Sequence, residues 1–466
     1  MRVSRRRFLT AGAASIAAAT ASLRASNFGL RQAQAAPSSS RGELRTSNFG
    51  VQAPTVDGAL LRQRLESLSV HGRPAGGTFA DGVSRVAYSD ADLAGRKYVL
   101  DLMRGAGLEP RVDPAGNIFA KRAGTDASLP PILFGSHIDS VPNGGNFDGD
   151  LGSLAALGVI EALDRAGTRT RHPLEIVVWS AEEGVAFGRG LAASRIVAGD
   201  VKPADMDAVW NGMTRAECVR RIGGDPARIM DAVRPKGAHH AYLELHIEQG
   251  GTLERDKVEI GVVEGIVSIQ RYSAIVTGFG NHAGTTPMAE RQDALVAASQ
   301  LTLAVRDAVR SKPGRQVGTV GQLNVEPNAP NVIPGVVRMT IELRDLSTPK
   351  LNEIIADIRQ RAAAIAAGSK TKIEINDLST NPPALATEEV QRAIERASSS
   401  LGLSHRRQPS GAGHDAQMMA QLSAMGMIFV PSVGGISHSP KELTTWQDCA
   451  NGANVLLSAV LEMDRV

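Results

Sequence analysis

The run from Gly135 to Gly152 constrains this chain more than any other stretch. It sets His137, Asp139, Asp148 and Asp150 in a glycine-rich turn directly after the apolar segment Pro131 to Gly135. A strand that ends in hard and borderline ligands is how α/β enzymes present a metal at the carboxyl edge of a sheet. His137 can ligate a divalent metal, Asp139 can hold its other ring nitrogen, and Asp148 can bridge two ions. The same residue types also suit a surface turn whose Asp and Asn side chains cap and bend the backbone. Taken alone, the His-x-Asp pattern does not separate the two.

At 466 residues the chain is long enough for two or three domains with real cores. Aromatic residues make up only 4%, too few for a surface that stacks single-stranded nucleic acid. Two cysteines, Cys218 and Cys449, rule out a disulfide framework. No stretch has the ~20 continuous strongly apolar residues of a membrane span.

The N-terminus reads as an address. Arg5, Arg6 and Arg7 precede Phe8 and Leu9 and then a weakly apolar, alanine-rich run from Ala11 to Leu23. That combination fits a twin-arginine signal, and hence the twin-arginine export machinery as a partner and a periplasmic or secreted location. Ala33-Gln34-Ala35 is a candidate cleavage site; a basic, unstructured tail is the alternative. Residues 1–36 hold six arginines and no acid, so their removal takes the formal charge from +3 to −3. The basic balance therefore belongs to the signal, and no nucleic-acid partner is implied. A linker, expected to be disordered, spans 37–56, where Ser26 to Leu30 is echoed by Ser47 to Val51.

From about Thr55 to Val262, helix-like and strand-like segments alternate, which argues for an α/β sheet covered on both faces. Asp90 to Gly105 and Leu151 to Ala166 read as helices, Asn117 to Lys121, Pro131 to Ser136 and Leu174 to Trp179 as strands. A second unit follows: Val263 to Thr277 as strand, Ala289 to Arg310 as helix, Val317 to Asn324 and Val332 to Leu343 as strands. Pro349 to Ala366 then reads as helix and Thr371 to Ile375 as strand, a βαββαβ, ferredoxin-like order. The α/β pattern resumes after Pro382 and Pro383, with Glu388 to Leu401 and Thr445 to Glu462 helical and Met427 to Pro431 a strand. The expectation is a discontinuous catalytic domain, 57–262 and 381–466, with a lid inserted at 263–380 and hinges near 262 and 380.

Three further segments carry ligand-type residues. Glu182 and Glu183 follow the strand ending at Trp179, and such neighbours can divide the work between holding a metal and acting as a base on water. An isolated pair of this kind is also found in solvated turns. The alternation from Glu244 through His246 to Glu248 places these three on one strand face, where His246 is a ligand or a satisfied core histidine. His438 lies in a loop after Gly434 and Gly435, four residues before Glu442.

Together these stretches match a family pattern. GSHIDSVPNGGNFDG, AEEG, LELHIEQG, GNHAGTTPM, NVIPG with ELRD, SGAGHDA and SHSPKE occur in order between residue 57 and the C-terminus. The chain resembles the amidase/hydantoinase/carbamoylase family, whose members include N-carbamoyl-L-amino-acid hydrolases, β-ureidopropionases and allantoate amidohydrolases. The family belongs to the aminoacylase-like dinuclear metallohydrolases. The resemblance implies a zinc-hydrolase-like catalytic domain, a lid that also dimerises, and two divalent ions per subunit. Zinc comes first among these, with manganese, cobalt or nickel also suited to the N/O donor set. It implies that His137, Asp148 and His246 hold one ion, and Asp148, Glu183 and His438 the other, with Asp139 behind the ligands. Glu182 resembles the general base and His282 the histidine that stabilises the oxyanion, in reach of a partner subunit's site. Gln249, Asn331 and Arg344 resemble the substrate clamp, and Gly413 a backbone contact. Position 181 is Ala where the family often has Asn.

The implied activity is hydrolysis of the C–N bond of an N-carbamoyl or ureido acid bearing a carboxylate. Allantoate amidohydrolysis, or cleavage of an acylated amino acid or dipeptide, would use the same centre. An exported metal-dependent binding protein without turnover is the reading outside catalysis.

Overall fold

The computed structural model describes residues 53–466; the signal segment, the cleavage site, the short echo and the linker up to residue 52 lie outside the described residues. Ile132–His137, Leu174–Trp179 and Ala241–Ile247 are buried at every position. That is the signature of strands covered on both faces. They run parallel with Ile132–His137 in the middle, and Ala424–Val430 extends the parallel set beyond Ala241–Ile247. Ile118–Arg122 and Ile260–Ile266 flank them antiparallel, giving a large mixed sheet.

Alternate residues feed two different cores. Ile132 and Phe134 pack with the helices Gly58–Leu68, Asp150–Arg165 and Trp446–Met463, while Leu133 meets Met418 and Met419 on the opposite face. Because the central strands share one direction, their carboxyl ends open onto one edge. His137 and His246 sit at strand ends there, and Glu182 follows Trp179.

A second sheet is built from Ser268–Thr277, Val317–Glu326, Val336–Asp345 and Lys372–Asn381, with the helices Ala294–Arg310 and Thr348–Ser369. All neighbours are antiparallel, and the two central strands are Val336–Asp345 and Ser268–Thr277. Tyr272, Ala274 and Val276 face the helices and pack with Leu301, Val305, Ile354 and Ile358. Ile269, Arg271 and Ser273 alternate onto the open face. Pro349 stands in the first turn of its helix, where its missing N–H costs nothing, and Ser347 caps that turn from Lys350 N.

The apolar run Val263 to Thr277, expected as one strand, is two. Ile260–Ile266 belongs to the large sheet and Ser268–Thr277 to the small one, with Val267 the single residue between. The chain therefore leaves the large sheet later than the hinge expected near residue 262. The apolar pair Ile266-Val267 breaks the alternation at the junction, the one local sign that the run is not a single strand. The polar strand His405–Ser410, paired parallel to Ile260–Ile266, goes unannounced by hydrophobicity. Among the described residues, no helix is long and apolar enough to cross a membrane.

Arg85 ties the first helical layer to the glycine-rich turn. Its guanidinium donates to the carbonyls of Ile138 (2.6 Å) and His71 (2.8 Å) and pairs with Asp150, both side chains being almost wholly buried. Asp150 thereby serves packing at the start of its helix, not metal binding. Burial raises its carboxyl to about 6 against the opposing pull of Arg85. Removing one member of such a pair leaves an uncompensated buried charge. Arg85→Leu is expected to lower the unfolding free energy by about 3–5 kcal/mol, read from the denaturant midpoint. Arg85→Leu with Asp150→Leu should recover most of that loss.

Candidate metal centre

Gly149 lets the turn after Asp148 close against the first strand. Its φ is +68, and a Cβ there would lie 2.5 Å from the His137 ring. Glycine alone combines that backbone with that approach. Asp148 is thus delivered next to His137, with 3.5 Å between Oδ1 and Nε2. His246, from the end of its strand, brings Nε2 to 3.1 Å of the same oxygen. On the other side, His438 Nε2 lies 3.2 Å from Asp148 Oδ2 and 3.4 Å from Glu183 Oε2. The donor atoms of His137, Asp148 and His246, and those of Asp148, Glu183 and His438, each fall within 4.8 Å of one another.

The imidazoles are oriented for ligation. Nδ1 of His137 lies 2.9 Å from the Asp139 carbonyl and Nδ1 of His246 2.9 Å from the Ile247 carbonyl. A carbonyl only accepts, so Nδ1 carries the proton and Nε2 presents a lone pair. Nε2 of His246 is buried with no hydrogen-bond partner. A buried lone pair facing carboxylates fits a cation and is costly otherwise. Burial alone would raise the Asp148 carboxyl, yet the imidazoles of His137, His246 and His438 crowded around it, where they carry positive charge, hold it well below the usual range. Burial and the neighbouring Asp148 push Glu183 up to about 7, and the Asp148 contact lifts His438 to about 9. Divalent cations suit this crowd of imidazoles and carboxylates, and the donors present are adequate to hold them.

A third grouping, Glu244 with His246 and His414, is geometrically close but chemically spent. Glu244 accepts from Ser136 Oγ, Tyr242 OH and Ala416 N, and His414 Nε2 meets Ser410 Oγ.

Two expected supports work differently from their sequence reading. Asp139 holds His137 through its main-chain oxygen. Its carboxylate stands 3.8 Å from the ring and accepts instead from the N–H groups of Glu182 (3.1 Å) and Glu183 (3.3 Å). It therefore orients the acidic pair as much as the histidine. Glu248 lies beyond its strand and caps Thr252 and Leu253, off the face shared by Glu244 and His246. Glu442, which sequence reading left without a role, accepts from Phe147 N (3.0 Å) and Asp148 N (3.1 Å). Its place four residues after His438 was the only available signal.

Glu182 is buried, with Oε2 3.7 Å from His137 Nε2. Burial, reinforced by Asp415 and Glu183, holds its carboxyl well above the ordinary range despite the nearby His137. Ala181 before it, Gln249 and His438 all adopt left-handed backbone, at φ of 55, 56 and 54. Asn tolerates this better than Ala does, which is a physical reason for the Asn that the family resemblance leads one to expect at position 181.

These groups line a cleft of about 530 Å³, with Gln249, Arg344, Gly413, Arg271 and Asn381 on its other walls. Gln249 Nε2 donates to Asp148 Oδ2 at 2.7 Å. His282 and Asn331 are exposed and do not line the cleft. They sit together at the far end of the small sheet, where Ala283 N donates to Asn331 O. A larger groove of about 790 Å³ runs between the small unit's two helices but holds none of these ligand groups.

A family model described as peptidase family M20/M25/M40 matches residues 133–462. An N-carbamoyl-L-amino acid amidohydrolase of Geobacillus stearothermophilus is 39% identical over 409 residues, covering 88% of this chain and 99% of the relative. A ureidoglycolate hydrolase of Arabidopsis thaliana is 37% identical and covers 86% of both chains. The crystal structure of an amidase of the hydantoinase/carbamoylase family from Burkholderia multivorans aligns with a TM-score of 0.80 at 37% identity. It covers 88% of this chain and 98% of its own.

Gly149→Ala drives a methyl into the His137 ring and is expected to weaken divalent-metal affinity by roughly 10–100-fold. Competition against a chelator measures this directly.

Proposed function

The chain belongs to peptidase family M20/M25/M40 and, within it, to the hydantoinase/carbamoylase amidases. From that premise we propose that it cleaves the C–N bond of N-carbamoyl (ureido) amino acids as a metal-dependent amidohydrolase. The observation that carries this reading is Glu182, buried beside both donor sets in a cleft that also presents Arg344.

Two divalent ions, zinc first, held by His137, Asp148 and His246 and by Asp148, Glu183 and His438, would acidify a water and polarise the ureido carbonyl. Glu182 takes a proton from the attacking water, and its burial makes it a stronger base than an exposed carboxylate. Oxygen adds to the carbonyl carbon, the bond to the amino-acid nitrogen breaks, and Glu182 returns the proton to that nitrogen. Carbamate leaves and decomposes to ammonia and carbon dioxide. Arg344 orients the substrate carboxylate through its planar fork. Gln249 and the backbone at Gly413 border the same space.

His282 and Asn331 are assigned to the cleft of a second copy, in a homodimer joined through the ferredoxin-like small unit acting as lid. There His282 would stabilise the developing oxyanion. Export to the periplasm or beyond rests on Arg5, Arg6 and Arg7 before Phe8 and Leu9 and on the alanine-rich run from Ala11 to Leu23. Allantoate is the second substrate reading, since an allantoate amidohydrolase of Escherichia coli is 34% identical over 383 residues.

Hydrolysis by metal-reconstituted protein of N-carbamoyl-L-amino acids, β-ureidopropionate, allantoate, N-acetyl amino acids and dipeptides, read as ammonia from the ureido compounds and as freed amine from the last two, tests the class. Turnover confined to the last two would overturn it. Glu182→Gln should lower kcat by about 10²–10⁴ with metal content kept; near-normal turnover would refute the base assignment. By elemental analysis, His438→Ala should retain one ion per chain, whereas Asp148→Ala should retain neither.

A further inference from the structure

Arg271 is a cation in the cleft that the proposed reaction leaves without a task. It stands on Ser268–Thr277, directly across from Glu342 on one neighbouring strand and Ser379 on the other, and lines the cleft together with Arg344. The two arginines grip one carboxylate: Arg271 Nε donates to Glu342 Oε2 at 2.6 Å and Arg344 Nε to Oε1 at 2.8 Å. Their remaining donors differ. Arg344 also brings Nη2 to 2.7 Å of Glu342 Oε1 and donates Nη1 to Gly411 O at 2.6 Å, which leaves one further N–H on each Nη for a carboxylate. Among the described residues, Arg271 makes no hydrogen bond beyond that to Glu342, and its side chain is 39% exposed. Its Nη1 and Nη2 form the edge of the fork that takes a carboxylate with two parallel bonds.

One glutamate cannot neutralise two guanidinium groups, so this part of the wall keeps a net positive charge. Arg189 and Arg195, which also line the cleft, share Asp200 in the same two-to-one way. Two arginine pairs, each with one acid between them, leave positive charge beside the metal-ligand groups and favour a substrate carrying more than one negative charge. We propose that Arg271 binds a second carboxylate, making the preferred substrate a ureido dicarboxylic acid with one carboxylate on Arg344 and the other on Arg271. This rests on the ureido-hydrolase reading above. Two guanidinium groups gripping the same carboxylate stand no more than about 8 Å apart, a gap that a four-carbon dicarboxylate can bridge.

The test compares N-carbamoyl-L-aspartate with N-carbamoyl-L-alanine, which differ by one side-chain carboxylate. Calorimetric binding is measured on metal-loaded Glu182→Gln protein, and ammonia release on the parent. The aspartate compound should bind about tenfold tighter, and adding Arg271→Gln should reduce that preference to within about twofold. Arg271→Lys should keep part of it, and circular dichroism checks that the sheet persists. Equal binding of the two compounds, or a preference that survives Arg271→Gln, overturns the subsite. So does an equal loss for both compounds in Arg271→Gln, which would place Arg271 on the shared carboxylate. A binding preference without ammonia release from either compound would uphold the subsite and refute ureido hydrolysis. Release without any preference would do the reverse.

Discussion

The carboxylate of Asp148 is the joint on which this site depends. His137 and His246 approach one of its oxygens, and His438, Gln249 and Ser437 approach the other. These residues come from the first strand, the third parallel strand and its following loop, and the loop after the fourth. A negative charge so deeply buried would be expelled without such partners. Satisfying it draws three strand ends together at one edge of the sheet. The support continues outward, since Glu442 fixes the N–H groups of Phe147 and Asp148, and Arg85 fixes Asp150 two residues on.

The large sheet supplies rigidity and the loops supply strain. Ala181, Gln249 and His438 each hold a left-handed backbone that costs a non-glycine residue roughly 1 kcal/mol or more. All three adjoin or belong to the candidate site, and strain of this kind persists only where surrounding packing over-determines it. Here the surroundings are the fully buried strands Leu174–Trp179 and Ala241–Ile247 and the mostly buried Ala424–Val430, whose loops start from fixed ends. Aligned, one-directional strands thus place groups distant in sequence within a few ångströms.

Much of this was legible in the chain. Leu174 to Trp179 and Asp90 to Gly105 have the bounds that their composition and caps predict, because burial and an N-capping Ser89 are local facts. The ligand-type residues stood out for the same reason: imidazoles and carboxylates beside glycine at strand ends are uncommon except where chemistry needs them. Where local pattern fails, so did the reading. Val263 to Thr277 reads as one apolar-rich run, yet the chain changes sheets at Val267, where only the adjacent pair Ile266-Val267 disturbs the alternation. Glu248 continues a period of two beyond the end of its strand and turns to cap a short helix instead.

The sequence by itself determined the chemistry available: three imidazoles, a bridging carboxylate, a paired glutamate and the order in which they arrive. Those are properties of residue type and spacing, which survive translation from one dimension to three. Only the tertiary structure decided which partners each group keeps. It gave Asp139 two tasks, its carbonyl on His137 and its carboxylate on Glu182 and Glu183, and made Asp150 the counter-ion of Arg85. It also left both Nη groups of Arg271 free beside an Arg344 already held by Glu342 and Gly411. Such outcomes follow from distance and burial between segments far apart in the chain, and no periodicity encodes them.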